Sequence, residues 1–102
     1  MADNQPMTEA AYYVLLSLLE TGYGYGISQE ASQLSGGRVN LGPGTLYGVL
    51  TRMRKEGLTV LDSQDDRRKN YAITPAGREA LAAEYRRLKR MVSDGAQLED
   101  RI

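Results

Sequence analysis

Glycines divide this 102-residue chain into short segments, and this division limits the elements that the chain can form. A glycine just after a helical pattern is a common helix end, because glycine readily adopts the left-handed conformation that closes the last turn. Gly22, the pair Gly36-Gly37 and Gly57 each follow a run with apolar residues at helical spacing. The sequence therefore predicts three short helices before residue 58.

The third helix has the clearest pattern, and we expect it to follow a turn over residues 42–45 and to span about eleven residues. Its core-facing side consists of apolar residues at i, i+3, i+4 and i+7: Leu46, Val49, Leu50 and Met53. Its opposite side carries small, polar and basic residues: Thr45, Gly48, Arg52 and Lys55. This helix can pack on a core with one side while the other side stays open to a partner.

Two strands are predicted after these helices. Residues 58–63 are rich in apolar and β-branched residues, and residues 70–73 can return as a second strand with Tyr71 and Ile73 on one face. The stretch between them is polar and ends in the bases Arg67, Arg68 and Lys69, which predicts a hairpin with a basic tip. A further, very short strand is predicted over residues 38–41. Thr74 and Pro75 then begin the last helix as N-cap and first residue, and we expect that helix to end near residue 92 or 93.

Three helices followed by a hairpin form a winged helix-turn-helix, and one more helix lies beyond it. We therefore expect a mainly α fold with a small β-hairpin, in which residues 8–74 form the winged helix-turn-helix domain. Residues 75–93 form the C-terminal helix, and we expect a disordered tail over residues 1–7 and a frayed one over residues 94–102. In this fold the third helix enters the DNA major groove, which predicts a DNA-binding protein.

The net charge of zero conceals an uneven distribution. Residues 1–37 carry four acids and no base, residues 38–90 carry twelve bases and six acids, and residues 91–102 carry three acids and one base. The basic middle contains both the third helix and the hairpin tip, which the fold brings to one surface. Double-stranded DNA would bind there, whereas a solvated charged surface is the alternative that charge alone leaves open.

The chain contains neither Cys nor His, which excludes disulfides, thiolate or imidazole metal sites and His-based catalytic triads. No motif groups the remaining carboxylates, hydroxyls and lysines, so we expect no enzyme activity, no metal and no cofactor. The longest strongly apolar stretch, residues 14–19, is too short to span a bilayer, and no basic residues precede it as in a secretory signal. We therefore expect a cytoplasmic protein without membrane contact.

Two long motifs lie in the middle and the second half of the chain. The first is PGTLYGVL at residues 43–50, continued by RM at 52–53 and EGL at 56–58. The second is RRKNY at 67–71 followed by ITPAGREAL at 73–81. Both resemble motifs of the PadR-like family of transcriptional regulators, in its short form, and GYGI at 24–27 resembles that family more loosely. The resemblance implies a winged-helix DNA-binding protein that acts as a dimer. Most members are repressors, and small aromatic molecules release some of them.

The DNA-contacting residues that the pattern and the resemblance indicate lie at the start of the second helix, on the third helix and at the hairpin tip. They are Tyr25, Pro43, Gly44, Thr45, Tyr47, Gly48, Arg52, Lys55, Arg67, Arg68 and Lys69. The resemblance implies that the Tyr47 hydroxyl bonds a phosphate, and the alternative is a half-buried core tyrosine. Tyr25, near the positive end of the second helix, has the same two interpretations.

The last helix has an apolar seam spaced 4, 3, 4, as in a coiled coil: Leu81, Tyr85, Leu88 and Val92. Because the first three helices largely fill the core, we expect this dimerisation helix to pack on a second copy and form a homodimer. Packing on the first helix of the same chain is the alternative. The resemblance adds the first helix to the dimer contact, through Tyr12 and Leu16. Such a dimer would bind an inverted-repeat operator.

A rival function remains open at this point. A winged helix that binds proteins and never meets nucleic acid would have the same fold, with a solvated basic hairpin. Binding to duplex DNA that weakens with salt separates the two functions, because phosphate contacts release counterions. A small aromatic ligand is supported less directly, because the chain lacks Trp and Phe, and Tyr12, Tyr13 and Tyr85 would have to line its pocket.

Overall fold

The computed structural model describes residues 6–64 and 69–101. Within these ranges the chain forms four α-helices, one antiparallel hairpin and a short 3₁₀ helix. In chain order they are α1 (Glu9–Ser17), α2 (Gly24–Leu34), α3 (Pro43–Lys55), β1 (Thr59–Gln64), β2 (Lys69–Ile73), α4 (Pro75–Gly95) and the 3₁₀ helix Ala96–Asp100. This is the expected winged helix-turn-helix with a long C-terminal helix. None of the helices in the described ranges is long and apolar enough to cross a membrane.

The predicted N-caps of α1 and α4 are confirmed. The Thr8 side chain accepts a hydrogen bond from the Ala11 N–H at 3.1 Å, and Thr74 accepts one from the Gly77 N–H at 2.9 Å. Thr74 also donates its hydroxyl to the Gly57 carbonyl at 2.7 Å, which attaches the start of α4 to the end of α3. Gly57 has a φ of +79°, the left-handed conformation expected of a glycine that ends a helix.

α1 ends at Ser17, earlier than the predicted end near Gly22. The residues after it form a tighter turn, in which the Glu20 N–H bonds the Ser17 carbonyl three residues back. Gly22 does not end α1 but contacts the hairpin, because its carbonyl accepts a hydrogen bond from the Tyr71 N–H at 2.6 Å. A Cβ at Gly22 would lie 2.6 Å from the Tyr71 carbonyl oxygen, so only glycine lets this loop approach β2 so closely.

The strand predicted over residues 38–41 does not form, and the segment is an irregular link between α2 and α3. Its main chain bonds a side chain instead of a strand: Val39 is buried, and its N–H donates to the Ser35 hydroxyl at 2.8 Å. The segment that lies beside the hairpin is the loop between α1 and α2, where Tyr23 forms an isolated antiparallel bridge with Asn70 of β2. The hairpin is thereby attached to the start of α2.

α3 begins at Pro43, inside the segment predicted to be a turn. Proline at the first helical position lacks only an N–H that has no helical partner, so Gly42 becomes the N-cap. The core-facing side is as predicted, with three buried residues and one partly buried: Leu46, Leu50, Met53 and Val49. They join apolar residues of α1, α2, β2 and α4 in one hydrophobic core.

α4 has a packed first half and an exposed second half. Gly77 brings its first turn close to the chain before β1, because a Cβ at Gly77 would overlap the Leu58 carbonyl oxygen. Leu81, about one turn later, lies in the core with 6% of its surface exposed. Further along, Tyr85 is exposed, and Val92 keeps 73% of its surface accessible. The second half of α4 therefore has an apolar side that the core leaves uncovered.

The end of the described chain differs from the prediction. α4 runs to Gly95, and the 3₁₀ helix continues to Asp100, where the sequence predicted a frayed tail from residue 94. Gly95 has a φ of −86° and a ψ of −6°, so it continues the helical path and does not adopt the left-handed conformation that ends many helices.

Candidate nucleic-acid interface

The side of α3 that faces away from the core is exposed. We call the surface formed by its small, polar and basic residues the polar face: Gly44, Thr45, Gly48, Arg52 and Lys55. All of these were assigned to DNA contact from the sequence, and Pro43, at the first position of α3, is exposed beside them. A Cβ built on Gly44 or Gly48 would meet nothing within 4 Å, so both glycines face open space.

The polar face is positively charged. α3 contains Arg52, Arg54 and Lys55 and no acidic residue. The ion pairs found among residues 6–64 and 69–101 connect α1 to the α2–α3 link and two residues within α4, and neither involves α3. The bases of α3 are therefore available to an anion outside the chain.

Tyr47 lies at the edge of the polar face, and 39% of its surface is exposed. Its ring contacts Tyr71 of β2, with the ring centroids 6.4 Å apart and the planes tilted by 47°. Its hydroxyl lies against the backbone of Gly24 at the start of α2. Tyr47 is thus half-buried, as expected of a core tyrosine, and it also keeps enough accessible surface to bind a phosphate.

Tyr25 lies in the first turn of α2 and is 70% exposed. Gln29, about one turn later, donates an amide N–H to the Tyr25 hydroxyl oxygen at 3.1 Å. The hydroxyl of Tyr25 can then donate its own hydrogen to an acceptor outside the chain. The sequence analysis did not select Gln29, although the i, i+4 spacing of two polar side chains was a signal for this pair.

The hairpin carries one described base at the end of β2 that follows the segment joining the two strands. β1 and β2 pair antiparallel, with a bulge-type irregularity in β1. Lys69 is the first residue of β2, is exposed and lies opposite Gln64. Arg67 and Arg68, the other two bases assigned to the hairpin tip, lie outside the described residues.

Arg54 is a further base of α3, outside the set that was assigned to DNA contact. It follows Tyr47 by seven residues, so the two lie on the same stripe of α3, and it is exposed. Burial raises the pKa of the Tyr71 hydroxyl, Tyr47 raises it further, and the positive charge of Arg54 opposes both. Arg54 therefore lies toward the hairpin, and its i, i+7 spacing from Tyr47 was the signal available in the sequence.

The residues assigned to the dimer contact differ in how much surface they retain. Leu81 needs a correction: it belongs to the core of its own chain, because Gly77 brings the start of α4 against the hairpin, and it has little surface left for a second copy. Accessible surface remains on the others: Tyr12, Leu16, Tyr85, Leu88 and Val92. Burial raises the pKa of the Tyr12 hydroxyl, and Tyr85 of α4 raises this pKa further.

Comparison with known proteins identifies the family. The model of the transcriptional regulator PadR-like family matches residues 14–83. The transcriptional regulator Rv3488 of Mycobacterium tuberculosis is 40% identical over 75 residues, which cover 71% of this chain and 67% of that protein. An uncharacterized 37.1 kDa protein in transposon TN4556 of Streptomyces fradiae is 37% identical over 86 residues, which cover 82% of this chain and 24% of that protein.

The fold is also similar to solved structures. A transcriptional regulator from Clostridium thermocellum superposes with a TM-score of 0.74 at 23% identity, over 85% of this chain and 89% of that one. At this identity the likeness shows the shared fold. The family model, in contrast, matches more than half of the sequence. The chain therefore belongs to the PadR-like family of transcriptional regulators, whose members are regulators and not enzymes.

Proposed function

We propose that the protein binds duplex DNA through the polar face of α3 and represses transcription as a homodimer. The observation that carries this proposal is the composition of that face, which is exposed, contains bases and no acid, and has two glycines that face open space. The major groove of B-DNA is about 12 Å wide and admits an α-helix. Small residues on the inserted side let the helix axis approach the base edges.

Each part of the polar face has a distinct role in this proposal. Arg52 and Thr45 contact base edges, and Arg is the commonest specific partner of guanine in the major groove. Gly44 and Gly48 allow close approach. Lys55 lies further from the start of α3 and binds a phosphate, which contributes affinity without sequence preference.

Two tyrosines bind the phosphate backbone beside the groove. Tyr25 supports this role because it is exposed and its hydroxyl hydrogen is available to an acceptor. Tyr47 donates its hydroxyl from the edge of the polar face, and Pro43 contacts the backbone at the start of α3. Hydroxyl–phosphate bonds of this kind fix the orientation of a protein on the duplex.

The hairpin forms the wing and binds a second stretch of phosphate backbone. Lys69 supports this role because it is exposed at the end of β2 that is next to residues 65–68. Arg67 and Arg68 precede it directly in the sequence and extend the basic run. A run of three consecutive cations suits the phosphate backbone, because Arg and Lys bind phosphate oxygens without reading the sequence of the bases.

The dimer contact uses the second half of α4 together with α1. Tyr85 and Val92 support this contact because both are exposed apolar residues on the same helix. Burial of such residues against a second copy is favourable. Two copies related by a twofold axis present two α3 helices, so the operator is an inverted repeat with half-sites about 10 base pairs apart, or a multiple of that distance.

We propose a small aromatic molecule as the ligand that releases the DNA. Tyr12 and Tyr13 form an edge-to-face pair with ring centroids 5.8 Å apart, and Tyr85 of α4 is close enough to Tyr12 to raise its pKa. Aromatic rings bind favourably to such tyrosines through edge or offset contacts. A ligand there acts at the contact between α1 and α4, and so at the proposed dimer contact.

The test selects bound duplexes from a random pool with the full chain and titrates the selected duplex at several salt concentrations. We expect an inverted repeat and a linear fall of log affinity with log salt, because bound phosphates release counterions. Lys55→Glu should weaken binding, whereas Arg86→Glu, the same reversal of charge on an exposed residue of α4, should weaken it much less. Binding to no duplex at low salt would favour the protein-binding winged helix instead.

A further inference from the structure

Gly24 is the first residue of α2, is buried and lies against the side chain of Tyr47. We propose that Gly24 is a positioning residue for DNA binding, because its lack of a side chain lets the Tyr47 phenol lie on the start of α2. There the hydroxyls of Tyr47 and Tyr25 bind the same stretch of phosphate backbone. This inference rests on the proposed function and adds to it a residue that touches no DNA itself.

The contact leaves no room for a larger residue at position 24. A Cβ built on Gly24 would overlap the Tyr47 hydroxyl oxygen and would lie 3.1 Å from Cζ of the same ring and 3.6 Å from Cδ2 of Leu46. Leu46 is buried in the core and cannot move aside. Tyr47 is partly exposed, so Gly24→Ala must displace the phenol outward.

The ring of Tyr47 is also held by the hairpin. It packs against Tyr71, which is buried and whose N–H donates to the Gly22 carbonyl at 2.6 Å. Movement toward Tyr71 is therefore blocked, and a displaced phenol has to leave the start of α2 for solvent. The residue at position 24 thus decides whether the Tyr47 hydroxyl stays beside α2.

This position matters because the two hydroxyls come from different helices. Tyr25 follows Gly24 directly in the first turn of α2, while Tyr47 belongs to α3. A hydroxyl bonds a phosphate oxygen only when the two oxygens are about 2.5–3.0 Å apart. A phenol that swings outward loses that bond, although every cation of the interface remains in place.

The test compares four variants of the full chain: Gly24→Ala, Tyr47→Phe, the double variant and Gly26→Ala. Gly26 is the matched control, because it is also buried in α2 and its Cβ would lie 2.5 Å from Thr21 Oγ1. Gly26→Ala therefore disturbs the same helix without meeting Tyr47. Each variant is titrated with the duplex that the wild type selects, at several salt concentrations, and its thermal unfolding is recorded.

We expect Tyr47→Phe and Gly24→Ala each to weaken binding about three- to tenfold per half-site, the effect of one hydrogen bond in each subunit. The double variant should bind no more weakly than either single variant, since both remove the same bond. The salt slope should keep its wild-type value, because a neutral hydroxyl releases no counterion. Gly26→Ala should lower the Tm and leave the affinity unchanged.

Three results would overturn the inference and leave the proposed function intact. The first is a loss of affinity in the double variant equal to the product of the two single losses. The second is wild-type affinity in either single variant. The third is a loss of affinity in Gly26→Ala as large as that in Gly24→Ala. Absence of duplex binding by the wild type would be a distinct result, which overturns the proposed function itself. If Gly24→Ala does not fold, the double variant decides. Tyr47→Phe removes the overlapping oxygen, so recovery of folding supports the contact and failure to recover overturns it.

Discussion

Glu84 accepts two hydrogen bonds from Arg87, one turn further along α4, while only 6% of its own surface is exposed. In one of them the Arg87 Nε lies 3.0 Å from Oε1 of Glu84. The bonds from Arg87 lower the pKa of Glu84, burial opposes this, and the N–H of Met7 adds to the lowering. Glu84 is therefore a charged carboxylate on the packed side of α4.

We expect this carboxylate to make the protein less stable in acid. The pKa of Glu84 in the folded chain is below its ordinary value of 4.5. Its contribution to the free energy of unfolding is therefore fully present above about pH 4.5. Below it the unfolded chain binds the proton more tightly than the folded chain does, so the contribution is lost as the pH falls through the folded-state pKa. Between about pH 7 and pH 3 the Tm of the wild type should fall, and the Tm of Glu84→Gln should fall less.

Glu79→Gln is the matched control, because Glu79 is an exposed acid on the same helix. It should keep the pH profile of the wild type. Arg87→Ala should lower the Tm at pH 7 by several degrees, since it leaves a buried carboxylate without its partner. Identical pH profiles for the wild type and Glu84→Gln would contradict the role given to this carboxylate.

A charge in the second half of α4 should dissociate the proposed dimer without unfolding the chain. Val92→Asp removes no core contact, because Val92 is largely exposed in the single chain. In a dimer contact it would bury a carboxylate at a cost of about 2 kcal/mol or more, which raises the dissociation constant roughly thirtyfold. Light scattering over a range of concentrations measures this change.

Ala83→Asp introduces the same carboxylate at an exposed position of α4 outside the seam, and it should leave the dimer intact. Leu88→Asp also tests the seam, but Leu88 is partly buried, so its unfolding has to be followed in parallel. A Val92→Asp dimer as tight as that of the wild type would place the dimer contact elsewhere.

Gly48 weakens α3 although no contact within the described chain requires a glycine there. A Cβ at this position meets nothing within 4 Å, so Gly48→Ala should stabilise the fold by about 0.5–1 kcal/mol. The same methyl group would stand between α3 and the base edges, and we expect the affinity for the operator to fall about tenfold. Thermal unfolding and DNA titration of the same sample measure both effects.

Gly95→Ala is the control for this pair of effects, because its Cβ also meets open space but lies at the end of α4. It should stabilise the chain and leave DNA affinity unchanged. Unchanged affinity in Gly48→Ala as well would show that α3 does not approach DNA through Gly48.

The features that the sequence predicted well depend on residues close together in the chain. The caps at Thr8 and Thr74 and the helix end at Gly57 each involve hydrogen bonds or angles within a few residues. The exposed side of α3 was predictable for a similar reason, because a 3.6-residue period assigns each residue of a helix to one side. Local chemistry therefore sufficed for the orientation of α3, although the helix begins within the predicted turn.

Contacts between distant segments account for the features that the sequence did not predict. The loop around Tyr23 lies beside the hairpin because Asn70 and Tyr71 of β2 form hydrogen bonds with it. Residues 38–41 do not form a strand because Ser35 provides a partner for the Val39 N–H. None of these pairings has a repeat or spacing that a single sequence displays.

The packed side of α4 differs from the predicted seam for a chemical reason. The apolar repeat includes Tyr85, which is exposed, and omits its neighbour Glu84, which is buried. Burial of Glu84 is possible because Arg87 supplies an opposite charge and two hydrogen bonds. Apolar periodicity has no means of detecting a buried residue that is charged and paired.

Sequence preference and overall affinity should depend on different parts of the proposed interface. Arg52→Ala removes a base contact, so we expect a loss of about 1–3 kcal/mol per half-site on the operator and a smaller loss on unrelated duplexes. Replacing Arg67 and Arg68 together by Ala removes phosphate contacts of the wing. This change should weaken binding to all duplexes nearly alike and lower the salt slope by about one unit for each phosphate that the wing no longer binds.

Titrations of the operator and of an unrelated duplex, each at several salt concentrations, separate these two effects. Arg90→Ala is the matched control, because it removes an exposed arginine from α4 and should change neither the sequence preference nor the slope by a comparable amount. If the wing variant lost sequence preference and kept its salt slope, the roles of wing and α3 would have to be exchanged. If neither variant changed binding to any duplex, neither Arg52 nor the arginines of the wing would contact DNA. The DNA-binding surface would then lie elsewhere on the protein.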